Sequence, residues 1–194
     1  MTPEEVLAVV LRDRAFYENS GGGMTVSGGE PSMQPAFATE LLKLAQSHSL
    51  HTAVETCGFA PWEFYEGILP STDLFLFDWK ETDPEKHRLF CGADNALIRE
   101  NLRKLSDAGA AILLRCPMIP GWNDFPEHID GIAELYRTLH LTGVEIIPYH
   151  RLGEDKYERF GIEYHGVQSQ PPDDETVRQW TQTLTQAGVK VIHS

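Results

Sequence analysis

Met24-Thr25-Val26-Ser27 runs into Gly28-Gly29-Glu30-Pro31, an amphipathic segment follows from Pro35 to His48, and the chain continues as His51-Thr52-Ala53-Val54-Glu55-Thr56. In the middle segment Phe37, Leu41, Leu42, Leu44 and Ala45 form one apolar set, which predicts a helix. The short flanking runs read as strands. Two strands joined by a helix of this length form a βαβ unit and lie parallel. The alternation persists along the chain, with helices over 61–69, 97–108, 126–139 and 173–187. Further strands are Leu74–Asp78, Ala111–Arg115, Val144–Pro148 and Val189–His193. Leu74-Phe75-Leu76-Phe77 shows almost no polar alternation and is expected to be buried on both faces. Upstream, Thr2-Pro3-Glu4-Glu5 carries a cap, a proline suited to the first helical turn and two acids at the positive end of the dipole. The helix it opens should stop before Ser20-Gly21-Gly22-Gly23, and a polar loop is expected over 149–172. The fold class is therefore α/β with a parallel sheet, in one domain over 1–194. Short apolar strands of this kind suit barrels and doubly wound sheets alike.

Composition narrows the function. The chain has 194 residues, 41% of them apolar, which is enough for a buried core. A net charge of −13 argues against a general nucleic-acid binder, because phosphates would be repelled. No Lys/Arg run suggests an anionic membrane, and the longest apolar stretches, such as Ala110–Leu114, are far too short to span a bilayer. Three widely spaced cysteines, Cys57, Cys91 and Cys116, do not make a disulfide framework, so a reducing cytoplasm is expected. Nor do they have the clustered spacing of a zinc or iron–sulfur loop; they read as small hydrophobes or inert thiols.

The polar candidates gather at the C-terminal ends of the strands: Ser27 to Glu30, Glu55-Thr56, Asp78 and Lys80, Arg115, and Tyr149-His150. In barrels and open α/β sheets, ligands bind at that edge. Gly28-Gly29-Glu30-Pro31 permits close backbone approach and offers a carboxylate to an ammonium group; it serves equally as a tight β–α turn. It is not a phosphate loop, since neither Gly-Lys-Ser/Thr nor Gly-x-Gly-x-x-Gly is present. Asp78-Trp79-Lys80 places two opposite charges at one strand end, as a weak ion pair or as a site for a zwitterion. Glu55 and Thr56 add oxygens that could hold a small cation. Arg115 after a buried strand should be paired or functional. His150 at a strand mouth is a candidate ligand contact.

In order along the chain, these pieces resemble the glycyl radical enzyme activating enzymes, the group that includes pyruvate formate-lyase activating enzyme. The resemblance covers Asp13-Arg14-Ala15-Phe16-Tyr17, Ser20 to Pro31, Glu55-Thr56-Cys57-Gly58, Asp78-Trp79-Lys80 and Asn101-Leu102-Arg103. It continues through Arg115 to Asp124 and Pro148-Tyr149-His150-Arg151-Leu152-Gly153. It implies a partial β/α barrel of the radical S-adenosylmethionine (SAM) type. By the same resemblance Gly28, Gly29 and Glu30 hold the SAM amino group, Lys80 of the Asp78/Lys80 pair takes its carboxylate, and Glu55 and Thr56 lie near a monovalent cation that also touches SAM. His150 lies against the adenosyl part and Arg115 stands in the active-site mouth. A glycyl radical enzyme such as pyruvate formate-lyase would be the protein partner and a flavodoxin-like protein the electron donor.

The family's Cys-x3-Cys-x2-Cys loop, which holds a 4Fe–4S cluster, lies upstream of everything quoted, and with it the first barrel strand. The expectation is therefore a first strand missing from the barrel and a fragment unable to cleave SAM unaided. Two alternatives stay open: a cluster-less SAM- or peptide-binding barrel, and an aldolase-type barrel that would use Lys80.

Overall fold

The computed structural model describes residues 1–151 and 169–192. Six strands form one sheet in the order β1-β2-β3-β4-β5-β6: Gly23–Val26, His51–Thr56, Leu74–Asp78, Ile112–Met118, Gly143–Pro148 and Val191–Ile192. Pairing is parallel at β1/β2, β2/β3 and β5/β6. The order does not return β6 to β1, so the parallel α/β sheet is open, as in a partial barrel. The chain divides into two compact units. One is Met1–Asp78 with Asn95–Leu114 and Leu139–Thr142; the other is Trp79–Asp94 with Arg115–Thr138 and Gly143–Ser194.

In the first unit α1 (Pro3–Val10) begins at a complete capping box, with Thr2 and Glu5 each bonding the other's backbone. A 3₁₀ turn over Leu11–Asp13 separates it from α2 (Arg14–Ser20). The crossover helix α3 (Pro35–Ser47) buries Ala38, Leu41, Leu42 and Ala45. Strand register aligns Val54 with Phe75 and Thr56 with Phe77, and all four are buried. Leu74, Leu76 and Asp78 remain half-buried, so the expectation that β3 is buried on both faces does not hold. The reason lies in the same register: Leu76 aligns with Glu55, a half-buried carboxylate, and a face carrying such a group is not a dry core.

Helix α4 (Trp62–Ile68) follows β2, and α6 (Ala96–Asp107) precedes β4. Between β2 and α4 the chain turns through Gly58 at φ +77°, where an added Cβ would overlap the Phe77 ring. The turn is fastened from α6. Asn101, fully buried, donates through Nδ2 to Gly58 O at 2.9 Å and Ala60 O at 2.8 Å.

In the second unit β4 runs three residues beyond the expected end, to Met118, and Tyr149 N donates to Met118 O. Pro117 lies inside this last part of the strand. Helix α5 (Pro84–Cys91) was not expected from the sequence. Its signal was Asp83-Pro84-Glu85: Asp83 Oδ1 accepts from the backbone N–H of Glu85 and Lys86, bonds that hold its carboxyl below the usual range. Helices α7 (Pro126–Thr138) and α8 (Asp174–Gln186) complete the unit. The expected strand residue His193 and the Leu152-Gly153 part of the resemblance lie outside the described residues. Among the described residues no helix is long and apolar enough to cross a membrane.

Asn101→Ala should lower the unfolding free energy by about 1–3 kcal/mol, because two buried carbonyls lose their donor. Urea denaturation checks this, and an unchanged midpoint would show that the β2–α4 turn does not depend on the tether.

Candidate functional site

In the first unit the site is the turn after β1. Ser27, Gly28 and Gly29 are exposed, and Gly28 adopts φ +122°, a conformation that side-chain-bearing residues rarely take. A Cβ on Gly28 or Gly29 would meet nothing within 4 Å, so their lack of side chains is not required by packing and leaves open space before the turn. Behind it, Glu30 is clamped. Its Oε1 accepts from Thr56 Oγ1 at 2.7 Å and its Oε2 from Cys57 N at 2.9 Å. Because the Thr56 proton goes to Glu30, Tyr65 must donate to Thr56 Oγ1 across their 3.0 Å contact, and Gly58 N donates to the same oxygen at 3.1 Å. Burial pushes the Tyr65 phenol up, which keeps that proton in place. Glu55 lies on the opposite face of β2 from Thr56, and its Oε2 accepts from Ser27 Oγ at 3.1 Å. Asp78 ends β3, half-buried.

In the second unit Lys80 is half-buried and His150 exposed. Arg115 is paired: its Nε donates to Glu145 Oε2 at 3.2 Å, with both side chains largely enclosed. Sequence reasoning missed Glu145, although an acid inside the apolar strand Val144–Pro148 was the available signal. Also missed was a buried cluster behind Lys80. Thr82 N is shared between Glu81 Oε1 at 2.7 Å and His128 Nδ1 at 3.0 Å, and Asp83 N also donates to Glu81 Oε1, at 3.0 Å. Trp79 Nε1 donates to Thr82 Oγ1 at 3.2 Å. Since Nδ1 accepts, the neutral His128 ring carries its proton on Nε2. Burial first, then the nearby Lys86 charge, lowers the His128 pKa from 6.5 to about 4. Glu81 Oε1, 3.5 Å from Nδ1, would favour the cation, but a proton on Nδ1 must displace the Thr82 donor.

The cysteines do not form a cluster-binding set. Cys57 belongs to the first unit and is half-buried, whereas Cys91 is exposed and Cys116 buried in the second. Among the described residues no three His, Cys, Asp or Glu side chains come together as metal ligands. The described residues therefore do not fit a 4Fe–4S cluster. The glycine turn, by contrast, has open space before it.

A family model described as the Radical SAM superfamily matches residues 1–136. The chain is 47% identical over 158 residues to the isethionate sulfite-lyase activating enzyme of Nitratidesulfovibrio vulgaris, covering 80% of this chain and 51% of that protein. It is 34% identical over 165 residues to the pyruvate formate-lyase-activating enzyme of Clostridium pasteurianum, covering 84% of this chain and 69% of that one. Among solved structures, a domain of pyruvate-formate lyase-activating enzyme from Bacteroides vulgatus matches with a TM-score of 0.73. That alignment has 32% identity and covers 88% of this chain and 98% of the domain. The chain belongs to the Radical SAM superfamily and, within it, to the glycyl radical enzyme activating enzymes. The superfamily uses SAM and a 4Fe–4S cluster. The chain spans about half the length of the first curated relatives it matches.

The neutral, buried His128 makes stability depend on pH. The unfolded state binds a proton below about pH 6.5 that the folded state takes up only near pH 4, so stability falls as pH drops through that window. Between pH 7 and pH 5 the loss should be about 2 kcal/mol, at 1.36 kcal/mol per pH unit. His128→Gln, which can still accept from Thr82 N–H, should flatten that slope in urea titrations. An equal slope in the variant would assign the dependence to other groups.

Proposed function

We propose that the chain binds SAM on the Gly28-Gly29-Glu30 turn and serves an enzyme that installs a glycyl radical on a partner protein. The observation that carries this reading is the turn itself, with open space before its two glycines and a clamp behind it. Cleaved by one electron from a 4Fe–4S cluster, with methionine leaving, SAM would supply the 5′-deoxyadenosyl group that takes a hydrogen atom from a backbone glycine of the partner. The chain's own residues bind and orient. The Gly28-Gly29 backbone and the remaining lone pairs of Glu30 accept from the ammonium, and Lys80 neutralises the carboxylate. His150 offers a flat polar surface to the nucleoside. Asp78 accompanies Lys80 on the Asp-x-Lys segment. Thr56, whose hydroxyl is engaged by Glu30, Tyr65 and Gly58, acts through Glu30, while Glu55 and Ser27 provide the oxygens for a cation. Arg115, oriented by Glu145, is a contact for the partner's peptide.

The partner is a glycyl radical enzyme. Identity of 47% to an isethionate sulfite-lyase activating enzyme against 34% to a pyruvate formate-lyase-activating enzyme favours the former kind of partner over the latter. A flavodoxin-like donor and a cytoplasmic setting suit the same reading.

For the chain alone, SAM affinity is expected to be roughly millimolar, on the order of −4 kcal/mol. Lys80→Ala should weaken it about ten-fold or more, the loss of one charge-assisted hydrogen bond. Glu30→Ala should weaken it similarly and also lower stability, because Thr56 Oγ1 and Cys57 N lose their acceptor. Lys104→Ala, on α6, should leave SAM affinity unchanged. Ligand-detected NMR titration covers this range. If Lys80→Ala binds SAM as tightly as the parent, the residue assignment is wrong while the fold stands.

A further inference from the structure

Asn123 lies in the turn between β4 and α7, within the second unit, and is 3% exposed. Its amide joins three backbone groups. Nδ2 donates to Lys80 O at 2.8 Å and to Pro117 O at 2.7 Å, while Oδ1 accepts from Ile119 N at 2.7 Å. Both amide protons are thereby engaged, one of them on the residue proposed to receive the SAM carboxylate. Lys80 borders a cavity of about 220 Å³ together with Phe90, Cys91, Pro117, Ile119, Trp122 and Asn123 itself. Phe90 and Trp122 pack against each other, their ring centroids 5.0 Å apart. Trp79 and Lys80 fall on the short connection that leaves β3 after Asp78, and Asn123 grips that connection at the Lys80 carbonyl, after Trp79 N has bonded Arg115 O.

We infer that Asn123 is the positioning residue for Lys80: by holding the Lys80 carbonyl to the end of β4, it sets where the lysine ammonium meets the ligand's carboxylate. This rests on the reading that Lys80 binds SAM, but the geometry can be tested without it. Cys91 shares the cavity and is exposed to reagents. Burial raises its thiol, the Lys80 charge pulls it back down, and the neighbouring Glu81 charge raises it again, so the Lys80→Ala background is needed to isolate the lysine's part. The part of the Cys91 profile that disappears with Lys80 therefore responds to the ammonium.

The test uses the full chain and four proteins: parent, Asn123→Ala, Lys80→Ala and the double variant, with Asn123→Ser replacing Asn123→Ala throughout if the latter does not fold. Iodoacetamide labelling of Cys91 against pH, followed on its own peptide by mass spectrometry, is the readout that does not need SAM. Asn123→Ala should move the labelling profile to higher pH, toward that of Lys80→Ala, and should have no further effect once Lys80 is gone. SAM titration should give about two- to ten-fold weaker binding in Asn123→Ala, the range of one net hydrogen bond. The double variant should match Lys80→Ala.

A purely structural turn staple would lower stability and leave the Cys91 profile in place, or shift it equally with and without Lys80. Either result overturns the inference. If the Cys91 profile behaves as expected but Lys80→Ala leaves SAM binding untouched, Asn123 still positions Lys80 and it is the assignment of SAM to Lys80 that fails.

Discussion

The Glu30 carboxylate is the interaction on which the glycine turn depends. It receives the hydroxyl of Thr56 and the N–H of Cys57, both from the end of the neighbouring strand. Without it, a largely buried hydroxyl and a backbone donor would need another acceptor, and unmade hydrogen bonds of this kind are expensive. With it, the loop after β1 is fastened to the loop after β2 from behind, and Tyr65 and Gly58 complete the network through Thr56. The two glycines can then face outward with nothing packed against them. An acid read from the sequence as a ligand contact is therefore first a brace for the residues beside it.

The second unit uses a different device for a similar end. Glu81, Thr82 and His128 form a polar knot just after Lys80, and Asp83 then starts α5. The loop carrying Lys80 is bounded by this knot on one side and by Asn123 on the other. Neither hold uses the lysine side chain.

Local order made much of the fold legible. The strand–helix–strand rhythm from Met24 to Thr56 identified parallel pairing, and β2, β3 and α3 fall within a residue of where periodicity put them. Helix α5 was not legible by periodicity, because Pro-Glu-Lys-His-Arg-Leu-Phe-Cys is mostly polar and shows no apolar stripe; only its cap at Asp83 announces it. The one-sided burial of β3 was hidden because leucine looks the same facing a core or facing Glu55. In the candidate site the glycine turn stood out because its chemistry is local. Asn101, Asn123 and His128 did not, since each has a partner 41 to 46 residues away and most of the groups they bond are backbone, which carries no sequence signature.

The hold on the Lys80 carbonyl has a further consequence. Every residue has the same carbonyl, so a different side chain at position 80 would leave the tether intact. The scaffold is thus indifferent to the identity of the group it presents. Evolution or a designer could exchange that group for one of other charge or length while the connection leaving β3 keeps its path. Ligand preference at this position can change without the fold having to be rebuilt around it.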